Sequence, residues 1–284
     1  MKTIREYVAA ASDRLRDAGI ETAANLDARL LAQHVLGWET ARLLTSAGEV
    51  PPDAFPAAFD ALVARRAARE PLAYITGHKE FWNLQFEVTP AVLIPRPETE
   101  LIVEAVLRLA PDADAPLAVA DVGTGSGCVA VAIAHERPRA EVLAIDISEA
   151  ALAVARRNAS RHHVGSRVRF AAGDLLDGIS GPFDAIVANP PYVRSGDRNG
   201  LQPEVREEPA VALYSGVEGL DAIARLIEQA PDRMRRGAHL IFEFGLGQEL
   251  DIERLLAASG QLVLVELLRD LQGIARTAVA RRPD

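Results

Sequence analysis

Ile4, Val8, Ala11 and Leu15 recur at helical spacing and Gly19 follows as a stop, so the chain is expected to open on an amphipathic helix. Leu26, Leu30, Leu31 and Val35 form a second stripe, with Asn25 placed as N-cap and Gly37 as terminator. Pro51-Pro52-Asp53 opens another helix, on which Phe55, Phe59, Leu62 and Val63 share one face. Arg65, Arg66 and Arg69 at its polar end read as a solvated face near a helix C-terminus. After Phe81 the period changes from 3.6 to 2. Trp82-Asn83-Leu84-Gln85-Phe86-Glu87-Val88 alternates apolar and polar, and Gly77 lies upstream as turn material, which predicts a β-hairpin connector.

From about Leu101 strand-like and helix-like segments alternate. Candidate strands are 117–122, 142–146, 168–171, 183–188, 239–244, 262–268 and 274–280, with helical patterns between most of them, for example 150–158 and 220–234. Such alternation predicts an α/β fold with a doubly wound, mostly parallel, seven-stranded sheet. The last two strands are joined only by 269–273, too short for a parallel crossover, so they are expected to pair antiparallel. The expected organisation is a helical bundle over 1–72, the connector over 73–95 and the α/β domain over 96–284.

Composition narrows the function without naming it. The chain has 284 residues, 49% hydrophobic and 25% charged, so a sizeable core is available. A net charge of −9 argues against non-specific grip on long nucleic acid, and residues 1–72 carry nine basic against ten acidic side chains. The single cysteine, Cys128, excludes an intramolecular disulfide or a cysteine metal cage, and reads as a small core residue. No metal site is expected. The amphipathic start and the lack of a membrane-length apolar run point to a cytoplasmic protein.

Asp121-Val122-Gly123-Thr124-Gly125-Ser126-Gly127 follows the first strand of the alternating region. Glycines at alternate positions let backbone turn tightly and approach a ligand. Asp146, at the end of the next strand, is placed to accept from both hydroxyls of a ribose. The spacing fits neither the dinucleotide fingerprint nor a Walker loop. Asp121 before the glycines would repel a phosphate and attract an amino group. A nucleoside carrying a cation is implied, which points to S-adenosylmethionine. Asp174 after the third strand has two readings, an acceptor for the adenine amine with Leu175 packed on the ring, or an exposed turn residue.

The fourth strand ends in Asn189-Pro190-Pro191-Tyr192. A carboxamide or exocyclic amine nitrogen is a poor nucleophile because its lone pair is delocalised. Two acceptors on its two hydrogens hold it and raise electron density at nitrogen. The side-chain oxygen of Asn189 and the carbonyl of Pro190 can be those acceptors, stiffened by the prolines, and Tyr192 offers a flat face. The tetrapeptide by itself serves a glutamine amide and an adenine amine equally.

Taken with Glu70-Pro71-Leu72-Ala73-Tyr74-Ile75-Thr76-Gly77, Glu80-Phe81-Trp82, Leu93-Ile94-Pro95-Arg96-Pro97-Glu98-Thr99-Glu100 and Glu204-Val205-Arg206-Glu207-Glu208-Pro209, these segments resemble the release-factor glutamine methyltransferases over nearly the whole chain. The resemblance implies a Rossmann-like methyltransferase domain. It implies methylation of the glutamine in the Gly-Gly-Gln motif of peptide-chain release factors, with S-adenosylmethionine as donor and S-adenosylhomocysteine as product. Adenine amino-group methylation of DNA or RNA is the alternative. By the same likeness Gly123, Thr124, Gly125, Gly127, Asp146, Leu175 and Asn189 touch the cofactor, Asn189, Pro190, Pro191 and Tyr192 hold the glutamine, and the helical domain docks the protein substrate. Arg96 and Glu98 are left as pocket residues or as a hinge ion pair. A monomer with no membrane and no stable nucleic-acid partner is expected. The chain departs from the family in Asp270-Leu271-Gln272-Gly273 and in Leu175, where many relatives carry an aromatic.

Overall fold

A computed structural model describes residues 2–284, which divide into two compact units. The first comprises residues up to Gly77 together with 202–207, the second 78–201 together with 208–284.

The first unit holds α1 (Ile4–Asp17), α2 (Ala24–Leu36), α3 (Thr40–Ser46), α4 (Phe55–Ala67) and α5 (Leu72–Thr76). Thr3 and Glu6 close a capping box at the start of α1, and Ile4, Val8, Ala11 and Leu15 are buried as the periodicity predicts. α2 ends at Gly37 in the left-handed region (φ 64°), but its stripe is differently phased. Its buried face is Ala24, Asp27, Ala28, Leu31 and Ala32, while Leu26 is 58% exposed and Ala23, not Asn25, occupies the N-cap. The reason lies on α4. Arg66, expected in solvent, is buried, and its guanidinium donates to Asp27 at 2.7 Å and to Glu204 at 2.8 Å. Arg69 reaches the other oxygen of Glu204 at 2.8 Å. Buried charges persist when paired and hydrogen-bonded, so this network draws Asp27 inward and turns Leu26 out.

The second unit opens with a hairpin, β1 (His78–Phe81) and β2 (Leu84–Glu87). Its two-residue turn, Trp82-Asn83, takes φ of 54° and 55°, the left-handed pair that matches strand twist. Phe81 and Phe86 are buried in the core of this unit. There follow α6 (Glu100–Leu109), β3 (Leu117–Val122), α7 (Cys128–Glu136), β4 (Ala140–Asp146), α8 (Glu149–Arg161), β5 (Val168–Ala172), β6 (Phe183–Ala188), α9 (Asp221–Gln229), β7 (Met234–Glu243), α10 (Glu249–Ser259), β8 (Val263–Arg269) and β9 (Ala275–Arg281). The sheet order is β5-β4-β3-β6-β7-β9-β8, parallel except that β9 runs antiparallel to both β7 and β8. The helix expected over 220–234 stops at Gln229, because Pro231 cannot continue it and Met234 already opens β7. Ser195–Gly200 is a short exposed 3₁₀ helix.

Both faces of the sheet are covered, and alternation along each strand sorts the core. Val119, Val187, Ile241 and Val279 pack with α6 and α7 on one side. Ala120, Ile186, Leu240, Phe242 and Ala278 pack with α9 and α10 on the other. Every described residue of α7 from Cys128 to Ala134 is buried. Among the described residues no helix is long and apolar enough to cross a membrane.

Candidate active site

β4 lies on one side of β3 and β6 on the other, so the connections leaving β3 and β6 open a crevice at their carboxyl ends. Val122 pairs with Ala188 in parallel register, which brings residues 123–127 and 189–192 out at the same end. A Cβ built on Gly123 would stand 3.9 Å from the backbone oxygen of Asn189.

The glycine turn is held by its own backbone. Gly123 and Thr124 N–H groups both donate to Ile145 O at 2.9 Å, and Gly125 N–H donates to Asp146 Oδ2 at 2.8 Å. Gly123, Gly125 and Gly127 take φ of 72°, 55° and 80°, which disfavours any side chain. At Gly127 space is short as well, since a Cβ there would meet Ala155 Cβ of α8 at 3.0 Å. Gly127 thus lets α7 start close against α8.

Two carboxylates stand at this turn. Asp121 is buried, and its Oδ2 accepts from Thr124 Oγ1 at 2.6 Å and from Ala130 N–H at 3.1 Å. Burial pushes its carboxyl up to about 6 against these bonds, and the charge of Asp146 adds to the rise. Asp146 accepts Gly125 N–H on Oδ2 and Ser148 N–H on Oδ1, at 2.9 Å for the latter; burial raises its carboxyl and the backbone donors oppose the rise. Burial also pushes the Cys128 thiol up to about 12, so no thiolate nucleophile is available there.

A cavity of about 360 Å³ opens over the turn, and all its walls belong to the second unit. Of the residues singled out from sequence, Gly123, Thr124, Gly125, Asp146, Asp174, Leu175, Asn189 and Pro191 line it, as does Asp121. Gly127, Pro190 and Tyr192 lie outside the lining. Asp174 sits at an exposed rim, where Arg225 donates to its two oxygens at 3.2 and 2.9 Å. Leu175 holds φ 54°, unusual for a leucine, and its side chain packs partly against the core. Ile147, which sequence reasoning passed over, exposes an apolar side chain on the cavity wall beside Asp146. An apolar residue directly after the strand-ending carboxylate was the available signal.

Asn189 and Tyr192 are joined by two residues that sequence reasoning did not assign, Thr99 on the cavity wall and Glu243 behind it. Asn189 Nδ2 donates to Thr99 Oγ1 at 3.0 Å, Thr99 Oγ1 donates to Glu243 Oε2 at 2.6 Å, and Tyr192 OH donates to Glu243 Oε1 at 2.9 Å. Thr99 and Glu243 are buried. Burial raises the Glu243 carboxyl, and burial with the adjoining Glu243 charge raises the Tyr192 phenol. A lone carboxylate in the apolar strand Leu240-Ile241-Phe242-Glu243-Phe244 was the legible clue. Arg96 pairs not with Glu98 but with Glu208, at 2.5 Å, and the other oxygen of Glu208 accepts Ile94 N–H at 3.0 Å. Neither Arg96 nor Glu98 lines the cavity.

Residues 6–77 match the family model described as PrmC N-terminal domain, and residues 99–208 match that of the methyltransferase small domain. Release factor glutamine methyltransferase of Neisseria gonorrhoeae is 43% identical over 266 residues, covering 93% of this chain and 95% of that protein. The protein of the same name from Moorella thermoacetica is 41% identical, covering 99% of each chain. Among solved structures, a methyltransferase from Pyrococcus furiosus superposes with a TM-score of 0.53 at 18% identity, over 79% of this chain and 98% of that one, a likeness of fold. The match runs through both units and across the cavity residues, and the chain belongs to the release factor glutamine methyltransferase family.

Proposed function

We propose that this protein transfers a methyl group from S-adenosylmethionine to the side-chain amide nitrogen of the glutamine in the Gly-Gly-Gln motif of release factors, leaving S-adenosylhomocysteine. The observation that carries the reading is the shared cavity, in which Asn189 stands beside a glycine turn flanked by Asp121 and Asp146. The donor set suits a cationic nucleoside. Asp146 retains acceptor capacity for a ribose diol, Asp121 offers charge to an ammonium, and Ile147 and Leu175 offer apolar surface to a base. Two carboxylates at the turn are unsuited to a phosphate.

The donor, when bound, supplies an electrophilic methyl group on a sulfonium. The protein supplies position. Asn189 Oδ1 accepts one hydrogen of the substrate amide and the Pro190 carbonyl the other, which aims the nitrogen lone pair and polarises it. The new bond is nitrogen to carbon. The carbon–sulfur bond breaks with its electron pair on sulfur, giving a neutral thioether, and the amide's surplus proton passes to water. Neither a metal nor a strong base is required by this balance. The helical unit is assigned the docking of the release factor, and the site of action is the cytoplasm.

The test is a methyl-transfer assay offering a release factor and nucleic acid side by side, with mass spectrometry of the protein product. One added methyl on the Gly-Gly-Gln glutamine is expected. Label entering only nucleic acid would replace this reading with adenine amino-group methylation.

A further inference from the structure

Asn189 presents two ends of nearly equal shape and opposite polarity, and only its oxygen can accept from a substrate amide. We infer that Glu243, acting through Thr99, is the positioning residue that turns the Asn189 oxygen toward the cavity. The inference rests on the methyl-transfer reading above.

The geometry sets two hydroxyls on Glu243, one at each oxygen, so the carboxyl is the acceptor of both. Tyr192 OH gives its hydrogen to Oε1 and Thr99 OH gives its hydrogen to Oε2. A hydroxyl has one hydrogen. Thr99 Oγ1, having spent it on Glu243, can only accept from Asn189, and it takes Nδ2 at 3.0 Å. The amide nitrogen is thereby turned to the protein and Oδ1 is the end left over. Every hydrogen in the chain from Tyr192 to Asn189 runs toward the carboxylate. Burial of Glu243 and Thr99 keeps water from supplying substitute donors. Burial opposes ionisation of Glu243, as does Glu98, while the hydrogen bonds from Thr99 and Tyr192 and the charge of Arg276 favour it.

An amide at 243 cannot hold this pattern. Its oxygen can serve Thr99 or Tyr192 but not both in their present places. Its NH₂ then donates either to Thr99, which reverses the hydroxyl and with it Asn189, or to the Tyr192 oxygen, which displaces that hydroxyl. The fold survives either way, because the shape is unchanged.

The test uses the full-length protein with Glu243→Gln, Thr99→Val and Thr99→Ser. In Glu243→Gln and Thr99→Val, kcat on the release factor should fall about a hundredfold, the scale of a misaligned reacting group. KM and the calorimetric Kd for S-adenosylmethionine should stay near wild type. Thr99→Ser, which keeps the hydroxyl, should recover most of kcat. A second readout needs no turnover: hydrogen exchange of the Asn189 side-chain NH₂, followed by NMR, should be slow in wild type and Thr99→Ser and fast in Thr99→Val. Wild-type kcat in Glu243→Gln and Thr99→Val, or Thr99→Ser falling as far as Thr99→Val, overturns the inference. So does NH₂ exchange that ignores Thr99→Val. A wild-type protein that leaves the release factor unmethylated refutes the functional reading instead, while the exchange measurement still decides the positioning role.

Discussion

Asp146 and Asp121 divide the work of holding a nucleoside with a cationic tail, and each can be tested separately. Asp146→Ala should weaken S-adenosylmethionine by about 1.5–3 kcal/mol, roughly ten- to a hundredfold in Kd by calorimetry, the worth of a charge-assisted hydrogen bond. The variant also loses the acceptor for Gly125 and Ser148 N–H groups, so Asp146→Asn should be milder. Asp121 answers to pH. Its carboxyl is raised to about 6, so the charge that attracts an ammonium disappears as pH falls through that value, and donor affinity should fall with it. Folding stability moves the other way. The folded state holds the proton more tightly than the unfolded chain, so this group's contribution is fully present below the ordinary carboxylate range and is lost as pH rises through about 6. Asp121→Asn should flatten both profiles, and calorimetry from about pH 3.5 to about pH 8, spanning the ordinary and the raised carboxyl values, reads both. The carboxylates and Asn189 were legible because polar residues at the carboxyl ends of apolar strands stand out, Asp121 beside a glycine turn and Asn189 before two prolines. Glu243 stands out in the sequence as a lone carboxylate in an apolar strand, but its role was not legible, since that depends on Thr99, 144 positions away.

At the scale of elements, period-2 and period-3.6 patterns located the strands and most helices, because each strand of a doubly covered sheet needs a continuous apolar run. They failed at phase and at ends. Helix α2 offers a Leu/Val stripe and an alanine-rich one that carries Asp27, and the choice between them is made by Arg66 on α4, whose partner Asp27 must face inward. Arg66→Ala should therefore destabilise the first unit by about 3–5 kcal/mol, measured by urea denaturation, since it leaves Asp27 buried without its cation. Replacing Arg66 and Asp27 together by apolar residues of similar volume should recover much of that loss.

Over the whole molecule, the cavity draws all its walls from the second unit, so the donor should stabilise that unit by mass action. At a hundred times its Kd the expected gain is about 2.7 kcal/mol, read as slower hydrogen exchange in β3, β4 and β6. Slowing confined to residues of the first unit would contradict the placement. The sequence by itself determined the identity and order of the α/β elements, the glycine turn, its acidic partner and the Asn189–Tyr192 segment. These are local matters, set by side-chain period and by which backbone angles glycine and proline permit. Only the tertiary structure decided that β9 inserts between β7 and β8, that 202–207 joins the helical unit through Glu204, and that Glu243 governs the polarity of Asn189. Each depends on which buried group finds its partner across a long stretch of chain, and hydrogen-bond complementarity between distant residues leaves no periodic trace in sequence.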